Sequence, residues 1–218
     1  MKTDSQLQHD VQEELKWTPS IREAEIGVAV KDGVVTLTGY LDSYAAKCTA
    51  VHAAEHVYGV RAVADELQVK LPTSSQRTDT EIAHAAVNAL RWDVEVPDVR
   101  VKVTVDNGWI TLDGAVDWQF QKSASESAVR YLVGVKGVIN RVDVRQPKVS
   151  AYEVSQKIRE ALRRSATVDA DRISVEASEG TVKLRGTVRS WAERSDAERA
   201  AWAAPGVHSV EDEITVAF

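Results

Sequence analysis

The sequence predicts an α+β protein that repeats one αββαβ module three times in tandem, each with two helices packed on a three-stranded mixed sheet. Glycines recur at fixed spacing, a pair of alternating apolar runs flanks each tight turn, and an amphipathic segment precedes each pair. Gly39, Gly114 and Gly186 lie at intervals of 75 and 72 residues, and two further glycine sets keep these intervals. The predicted modules are residues 1–72 (module 1), 76–147 (module 2) and 148–218 (module 3).

Each module opens with the signals of a helix start. A hydroxyl residue stands three positions before Glu or Gln, a spacing that lets both side chains bond the free amides of the first turn. An apolar residue then recurs every fourth position, which buries one helix face. The predicted capping boxes are Thr3/Gln6, Thr78/Glu81 and Ser150/Glu153, and the apolar stripes are Leu7/Val11/Leu15, Ile82/Ala86/Leu90 and Val154/Ile158/Leu162.

Two strands joined by a tight turn follow each helix. The turns are Asp32-Gly33, Asn107-Gly108 and Glu179-Gly180. Asp-Gly and Asn-Gly are strong hairpin signals because both turn residues adopt positive φ. Val or Ile alternates with other residues on either side of each turn, and a glycine ends the second strand.

A second helix rich in alanine and a last strand complete each module. A Gly-Val pair stops the helix, with the glycine placed for a left-handed cap. Nine glycines are therefore predicted to have a structural role: Gly33, Gly39, Gly59, Gly108, Gly114, Gly134, Gly180, Gly186 and Gly206.

These motifs together resemble the BON domain, named for bacterial OsmY and nodulation proteins. The resemblance rests on the strings at residues 33–39, 108–114 and 180–186, and on the Gly-Val-x-x-Val elements that begin at Gly59, Gly134 and Gly206. It implies a non-catalytic binding module. OsmY-like members are periplasmic, respond to osmotic stress and are thought to contact phospholipid, and one cytoplasmic member binds potassium.

The charge of the chain limits the classes of partner that it can bind. The net charge is −6, and the three modules carry −4, −1 and −1, so none has the basic excess that nucleic-acid binding requires. No apolar run is long enough to span a membrane. If Met1 is the true start, the polar N-terminus predicts a cytoplasmic protein, whereas the family resemblance implies the periplasm as the alternative. The single cysteine, Cys48, is predicted to be a buried thiol.

No constellation of catalytic residues recurs, so we predict that the chain is not an enzyme, with no cofactor and no metal site. His52 and His56 have metal-ligand spacing, but module 2 has Ser127 and Tyr131 there, so surface histidines are the favoured interpretation.

We expect a stress-response protein that contacts phospholipid or an envelope component, or, as alternatives, a cytoplasmic sensor of a monovalent cation or a protein adaptor. The ligand-contact candidates lie around the loop that enters the second helix. Aromatic rings there favour either a lipid interface or a hydrophobic staple over the helix start. The candidates are Tyr40, Tyr44, Trp118 and Trp191, with Lys47, Lys122 and Arg194 as the basic residues near them.

Overall fold

A computed structural model describes residues 2–19, 21, 26–145, 150–165 and 169–217. Within these residues the helices are α1 (Asp4–Trp17), α2 (Tyr44–His56), α3 (Asp79–Trp92), α4 (Gln119–Arg130), α5 (Ala151–Arg164) and α6 (Trp191–Trp202). The strands are β1 (Ile26–Lys31), β2 (Val34–Leu41), β3 (Ala62–Val69), β4 (Val101–Asp106), β5 (Trp109–Val116), β6 (Gly137–Val144), β7 (Ile173–Ser178), β8 (Thr181–Val188) and β9 (Ser209–Val216). Single 3₁₀ turns cover Thr73–Ser75, Asp98–Arg100 and Ala170–Arg172.

The order of these elements confirms the predicted αββαβ repeat. Three separate three-stranded sheets form, with the second strand of each module in the centre. In modules 1 and 3 the central strand is antiparallel to the first strand and parallel to the third, which gives the predicted mixed sheet. In module 2, β4 and β5 are antiparallel, and β6 lies beside β5.

The first helix of each module buries the predicted apolar stripe. Thr3 and Thr78 form complete capping boxes with Gln6 and Glu81. The third predicted box is wrong, because the Ser150 hydroxyl makes no capping hydrogen bond. The backbone of Ser150 has ψ 129°, against 157° at Thr3 and 153° at Thr78, so the geometry of this helix start differs.

The hairpin turn fixes the third strand as well as the first two. Asp32, Asn107 and Glu179 adopt positive φ, as do the glycines that follow them. The carbonyl oxygen of each turn glycine accepts a hydrogen bond from the residue that leads into the last strand: Arg61 N–H at 2.8 Å, Lys136 N–H at 2.9 Å and His208 N–H at 3.0 Å. The turn therefore sets the register at which the third strand joins the sheet.

A close approach of two chain segments explains why the turn needs glycine. A Cβ built on Gly108 would lie 3.0 Å from the carbonyl oxygen of Gly134, in the loop that follows α4. The corresponding distance from Gly180 to the Gly206 oxygen is 2.9 Å. A side chain at the turn would push the second helix away from the hairpin. The predicted glycine caps are wrong in modules 1 and 3, because α2 and α6 are capped by Val57 and Ala203 and the glycines follow in the loop.

The glycine predicted to end the central strand lies inside it, because β2, β5 and β8 continue two residues past Gly39, Gly114 and Gly186. In modules 2 and 3 this glycine is constrained by the residue just before the first strand. Gly114 has φ +144°, and a Cβ there would lie 2.0 Å from the Arg100 carbonyl oxygen. Gly186 repeats this geometry against the Arg172 carbonyl oxygen, also at 2.0 Å. All nine glycines predicted to be structural adopt positive φ.

A carboxylate at the start of the first helix holds the hairpin turn in modules 1 and 2. The Asp4 carboxylate accepts hydrogen bonds from the backbone amides of Asp32 at 2.9 Å and Gly33 at 3.2 Å. Asp79 accepts equivalent bonds from Asn107 and Gly108, both at 2.8 Å. Module 3 has Ala151 at this position, so it lacks the carboxylate.

The chain divides into two compact units. The first comprises Met1–Val116 and Gln121–Asp143, and the second comprises Asp117–Phe120 and Val144–Phe218. The first unit holds module 1 and most of module 2, and the second holds module 3 with a short segment of module 2. The predicted boundary between modules 2 and 3, at residues 147 and 148, lies outside the described residues.

Replacing Asp79 with alanine removes both acceptors of the turn amides, and we expect the free energy of unfolding of the first unit to fall by about 1–2 kcal/mol. Asp79→Asn keeps one acceptor oxygen and should lose less. Denaturant unfolding of the full chain would measure both variants. Equal losses in the two variants would contradict this explanation.

Candidate functional site

Tyr40 is the most exposed of the four aromatic residues that the sequence singled out. It lies near the end of β2 with 55% of its surface exposed, and the Lys70 ammonium is 5.8 Å from its ring centroid. A cation at this distance from an aromatic face is attracted to it. Tyr40 therefore presents an aromatic ring and a positive charge together at the surface.

Trp191 and Trp118 are half-buried. The Arg194 guanidinium lies 4.8 Å from the centroid of the Trp191 ring and covers it. The indole nitrogen of Trp191 is buried and has no hydrogen-bond partner. Trp191 is the first residue of α6, directly after the N-cap Ser190, so its ring does not occupy the position of a hydrophobic staple. Its contact with Arg194 nevertheless holds the ring against its own module.

The start of α6 also contains one of the two buried polar side chains of the described residues, Glu193. The Ser190 hydroxyl accepts from the Glu193 amide at 3.1 Å, which is one half of a capping box. The Glu193 carboxylate, however, accepts from the amides of Arg189 at 2.7 Å and Asp169 at 3.0 Å. The carboxylate thus ties the loop before β7 to α6. The same position of the repeat is Ala46 in module 1 and Gln121 in module 2.

The predicted basic residues occupy one repeated position that links the second helix to the last strand. In module 1 the Lys47 ammonium lies 3.0 Å from the Asp65 carboxylate and donates to the Leu67 carbonyl at 2.7 Å. In module 3 the Arg194 guanidinium lies 2.6 Å from the Asp212 carboxylate. These contacts hold both charges against their own modules.

Module 2 makes the same helix–strand link with an amide. The Asn140 side chain donates to the Lys122 carbonyl at 2.9 Å, so it contacts the Lys122 backbone and not its ammonium. In all three modules the strand residue also accepts a hydrogen bond from the amide two residues later, at Leu67, Val142 and Ile214.

Tyr44 joins module 1 to module 2 within the first unit. Its hydroxyl accepts a hydrogen bond from the backbone amide of Val138 on β6 and is hydrogen-bonded to the thiol of Cys48, one turn along α2. Cys48 is half-buried. Burial and the Cys48 hydrogen bond raise the pKa of Tyr44 to about 12.

The two histidines of α2 lie close together at the surface. Their ring centroids are 4.1 Å apart, and the His56 Nδ1 atom lies 2.8 Å from the His52 carbonyl oxygen. Burial, then His56 and Arg130, lower the pKa of His52. Among the described residues, no three His, Cys, Asp or Glu side chains are placed to hold a metal ion together.

The most exposed aromatic rings among the described residues lie outside the set of candidates chosen from the sequence. Trp17 and Trp92 end the first helices of modules 1 and 2 and are 84% and 85% exposed. Val94 and Val99, in the loop after Trp92, are 99% and 91% exposed. The signal was present in the sequence, because both tryptophans occupy the same position of the repeat, where module 3 has Arg164.

Modules 1 and 2 of the repeated fold thus carry exposed aromatic rings at Tyr40, Trp17 and Trp92. Comparison with known families matches the BON domain three times, at residues 3–70, 78–146 and 152–217. The chain belongs to the BON domain family. It is 33% identical over 141 residues to the osmotically-inducible protein Y of Escherichia coli (strain K12), which covers 63% of this chain and 70% of that protein. None of the described helices of this BON protein is long and apolar enough to cross a bilayer.

Two solved structures match the whole chain only loosely. CdsD, a structural protein of the type III secretion system of Chlamydia trachomatis, is 14% identical with a TM-score of 0.28, and the match covers 97% of this chain and 92% of that one. The C-terminal domain of CdsD is 13% identical with a TM-score of 0.27, and both chains are fully covered. Likeness at this level supports no argument about the BON modules of this chain.

Removing the strand partner of Arg194 should destabilise the third BON module. Asp212→Ala leaves a largely buried guanidinium without its carboxylate and the Ile214 amide without its acceptor, so we expect a loss of about 1–3 kcal/mol in denaturant unfolding. Glu176→Ala is the matched control, since its ion pair with Arg185 is exposed and 3.5 Å long. A loss below about 0.5 kcal/mol is expected there. Equal effects would show that the Asp212 link contributes no more than a surface pair.

Tyr44→Phe should weaken the contact between BON modules 1 and 2. It leaves the Val138 amide without its acceptor, at an expected cost of about 1–2 kcal/mol to the first unit. The raised pKa of Tyr44 adds a pH test. Because the unfolded chain loses this proton near pH 10 and the folded chain only near pH 12, stability falls as pH rises through this window. Denaturant unfolding from pH 9 upward should show a shallower loss in Tyr44→Phe, and an unchanged slope would contradict the assignment.

Proposed function

We propose that the chain is a non-enzymatic binding protein of the osmotic or envelope stress response that attaches to phospholipid surfaces through exposed aromatic side chains. The observation that carries the proposal is the near-complete exposure of Trp17 and Trp92 at the same position of two BON modules. Tryptophan is favoured at a membrane–water interface because its ring is amphipathic. The similarity to a protein named for osmotic induction supports the stress role.

The residues chosen from the sequence contribute unequally to this proposal. Tyr40 remains a proposed lipid contact because its ring is exposed beside Lys70. Tyr44 and Trp191 are engaged within the protein, by Val138 and Arg194 respectively. We therefore place the main contact at the ends of the first helices. Two such sites on one chain would raise the apparent affinity by avidity where both reach the surface.

Attachment to phospholipid also predicts where in the cell the protein is found. A relative that is osmotically inducible and a surface suited to lipid favour an envelope location for this chain. Fractionation of cells that express the full-length tagged protein, before and after osmotic shock, tests this part of the proposal. Recovery of all the protein with the cytoplasmic fraction would argue for the cation-sensor or adaptor alternatives.

Trp92→Ala should lower partitioning of the full chain onto phospholipid vesicles about tenfold, because transfer of a large aromatic ring from water contributes on the order of 1.5–3 kcal/mol. Co-sedimentation with vesicles is the measurement. Tyr131→Ala is the control, since Tyr131 is another aromatic residue of module 2 and is 70% exposed. If the wild type does not pellet with any vesicle, lipid attachment is ruled out, and a cation-sensor or adaptor role would explain that result.

A further inference from the structure

The loop that follows α3 presents its apolar side chains to solvent as separate projections. We call residues 92–99 the α3 tip. Trp92, Val94 and Val99 are 85%, 99% and 91% exposed, so each side chain stands almost free of the others. A protein partner would need a matching pocket for each projection. The interfacial region of a bilayer accepts isolated apolar side chains without any preformed shape.

The α3 tip is anchored and therefore presents these side chains in fixed positions. Val96 and Val101 are only 7% exposed and fasten the loop to the module. The Val96 amide donates to the Asp93 carbonyl at 3.2 Å, and the Asp93 carboxylate accepts from the Glu95 amide at 2.9 Å. An ordered loop loses less conformational entropy on binding than a mobile one.

The charge around the tip is acidic. Three carboxylates, those of Asp93, Glu95 and Asp98, outnumber the two guanidinium groups of Arg91 and Arg100, which gives a local charge of 2 − 3 = −1. Attraction to anionic lipid requires clusters of basic residues close to the surface. At low salt an anionic bilayer would repel this tip, and salt would screen that repulsion.

We infer that the α3 tip selects zwitterionic over anionic phospholipid and attaches by apolar insertion of Trp92, Val94 and Val99 with little help from charge. This inference rests on the proposed function and specifies its lipid class. It also limits the property to particular modules, because module 3 ends its first helix with Arg163 and Arg164, both exposed. Insertion is therefore a feature of individual tips and not of the BON fold itself.

The test compares full-length protein on phosphatidylcholine vesicles and on vesicles rich in phosphatidylglycerol, each at low and high salt. We expect phosphatidylcholine binding that salt barely changes, and several-fold weaker binding to the anionic vesicles at low salt that recovers at high salt. Trp92→Ala should reduce binding to both vesicle types.

Charge reversal at the α3 tip distinguishes the effect of local charge on lipid binding from the effect of the net charge of the protein. Glu95→Lys should increase low-salt binding to the anionic vesicles several-fold and leave phosphatidylcholine binding unchanged. Glu160→Lys makes the same charge change on the exposed face of α5 in module 3 and should have a much smaller effect. Circular dichroism of each variant would verify folding.

The outcomes distinguish the two proposals. Wild-type binding that requires phosphatidylglycerol and is lost with salt would overturn the selectivity and leave lipid attachment standing. Phosphatidylcholine binding that is unaffected by Trp92→Ala would also overturn it, since another surface would then carry the contact. Failure to bind either vesicle would overturn the selectivity and the proposed function together.

Discussion

The hydrogen bond from the start of the third strand to the turn glycine is the contact on which each module depends. This hydrogen bond joins the hairpin to the third strand, which follows the second helix in the chain. It therefore connects two segments that are far apart in sequence. In all three modules the bond is 2.8–3.0 Å long. The turn must therefore hold positive φ, approach the glycine that follows the second helix closely and direct its carbonyl oxygen at the third strand. These requirements explain why the turn glycine and the glycine after the second helix both recur at the same spacing in every module.

Much of the fold could be predicted from the sequence because its signals are local and repeated three times. Turn dipeptides, apolar stripes and glycines each specify one element, and agreement among three copies removes chance matches. The hydrogen bonds from the hairpin-turn amides to the Asp4 and Asp79 carboxylates were not predicted, because the bonded residues are far apart in sequence. Ser150 shows the limit of motif reading, because the residue types of a capping box are present and the hydrogen bond is not.

The candidate site was harder to predict for a physical reason. Aromatic residues at either end of a helix can pack against their own module or remain exposed, and the residue type does not separate these two cases. Trp191 and Trp92 are the same residue type, yet Arg194 covers one ring while the other is 85% exposed. Similarly, the charge of Lys47 gave no indication of Asp65, which lies on a different element. Side-chain exposure and ion pairing depend on contacts between distant parts of the chain, so the spacing of residues along the sequence does not predict them.

The junction at Tyr44 bears on how such a chain can change over time. The core glycines and apolar stripes recur in every copy, whereas the position of Tyr44 is occupied by Gln119 in module 2 and by Trp191 in module 3. Gene duplication copies the core residues of a module unchanged. A contact between two modules has to arise afterwards, by substitution at positions where the copies differ. Reordering the copies by recombination would thus preserve the core residues of each module and lose the Tyr44 contact between modules 1 and 2.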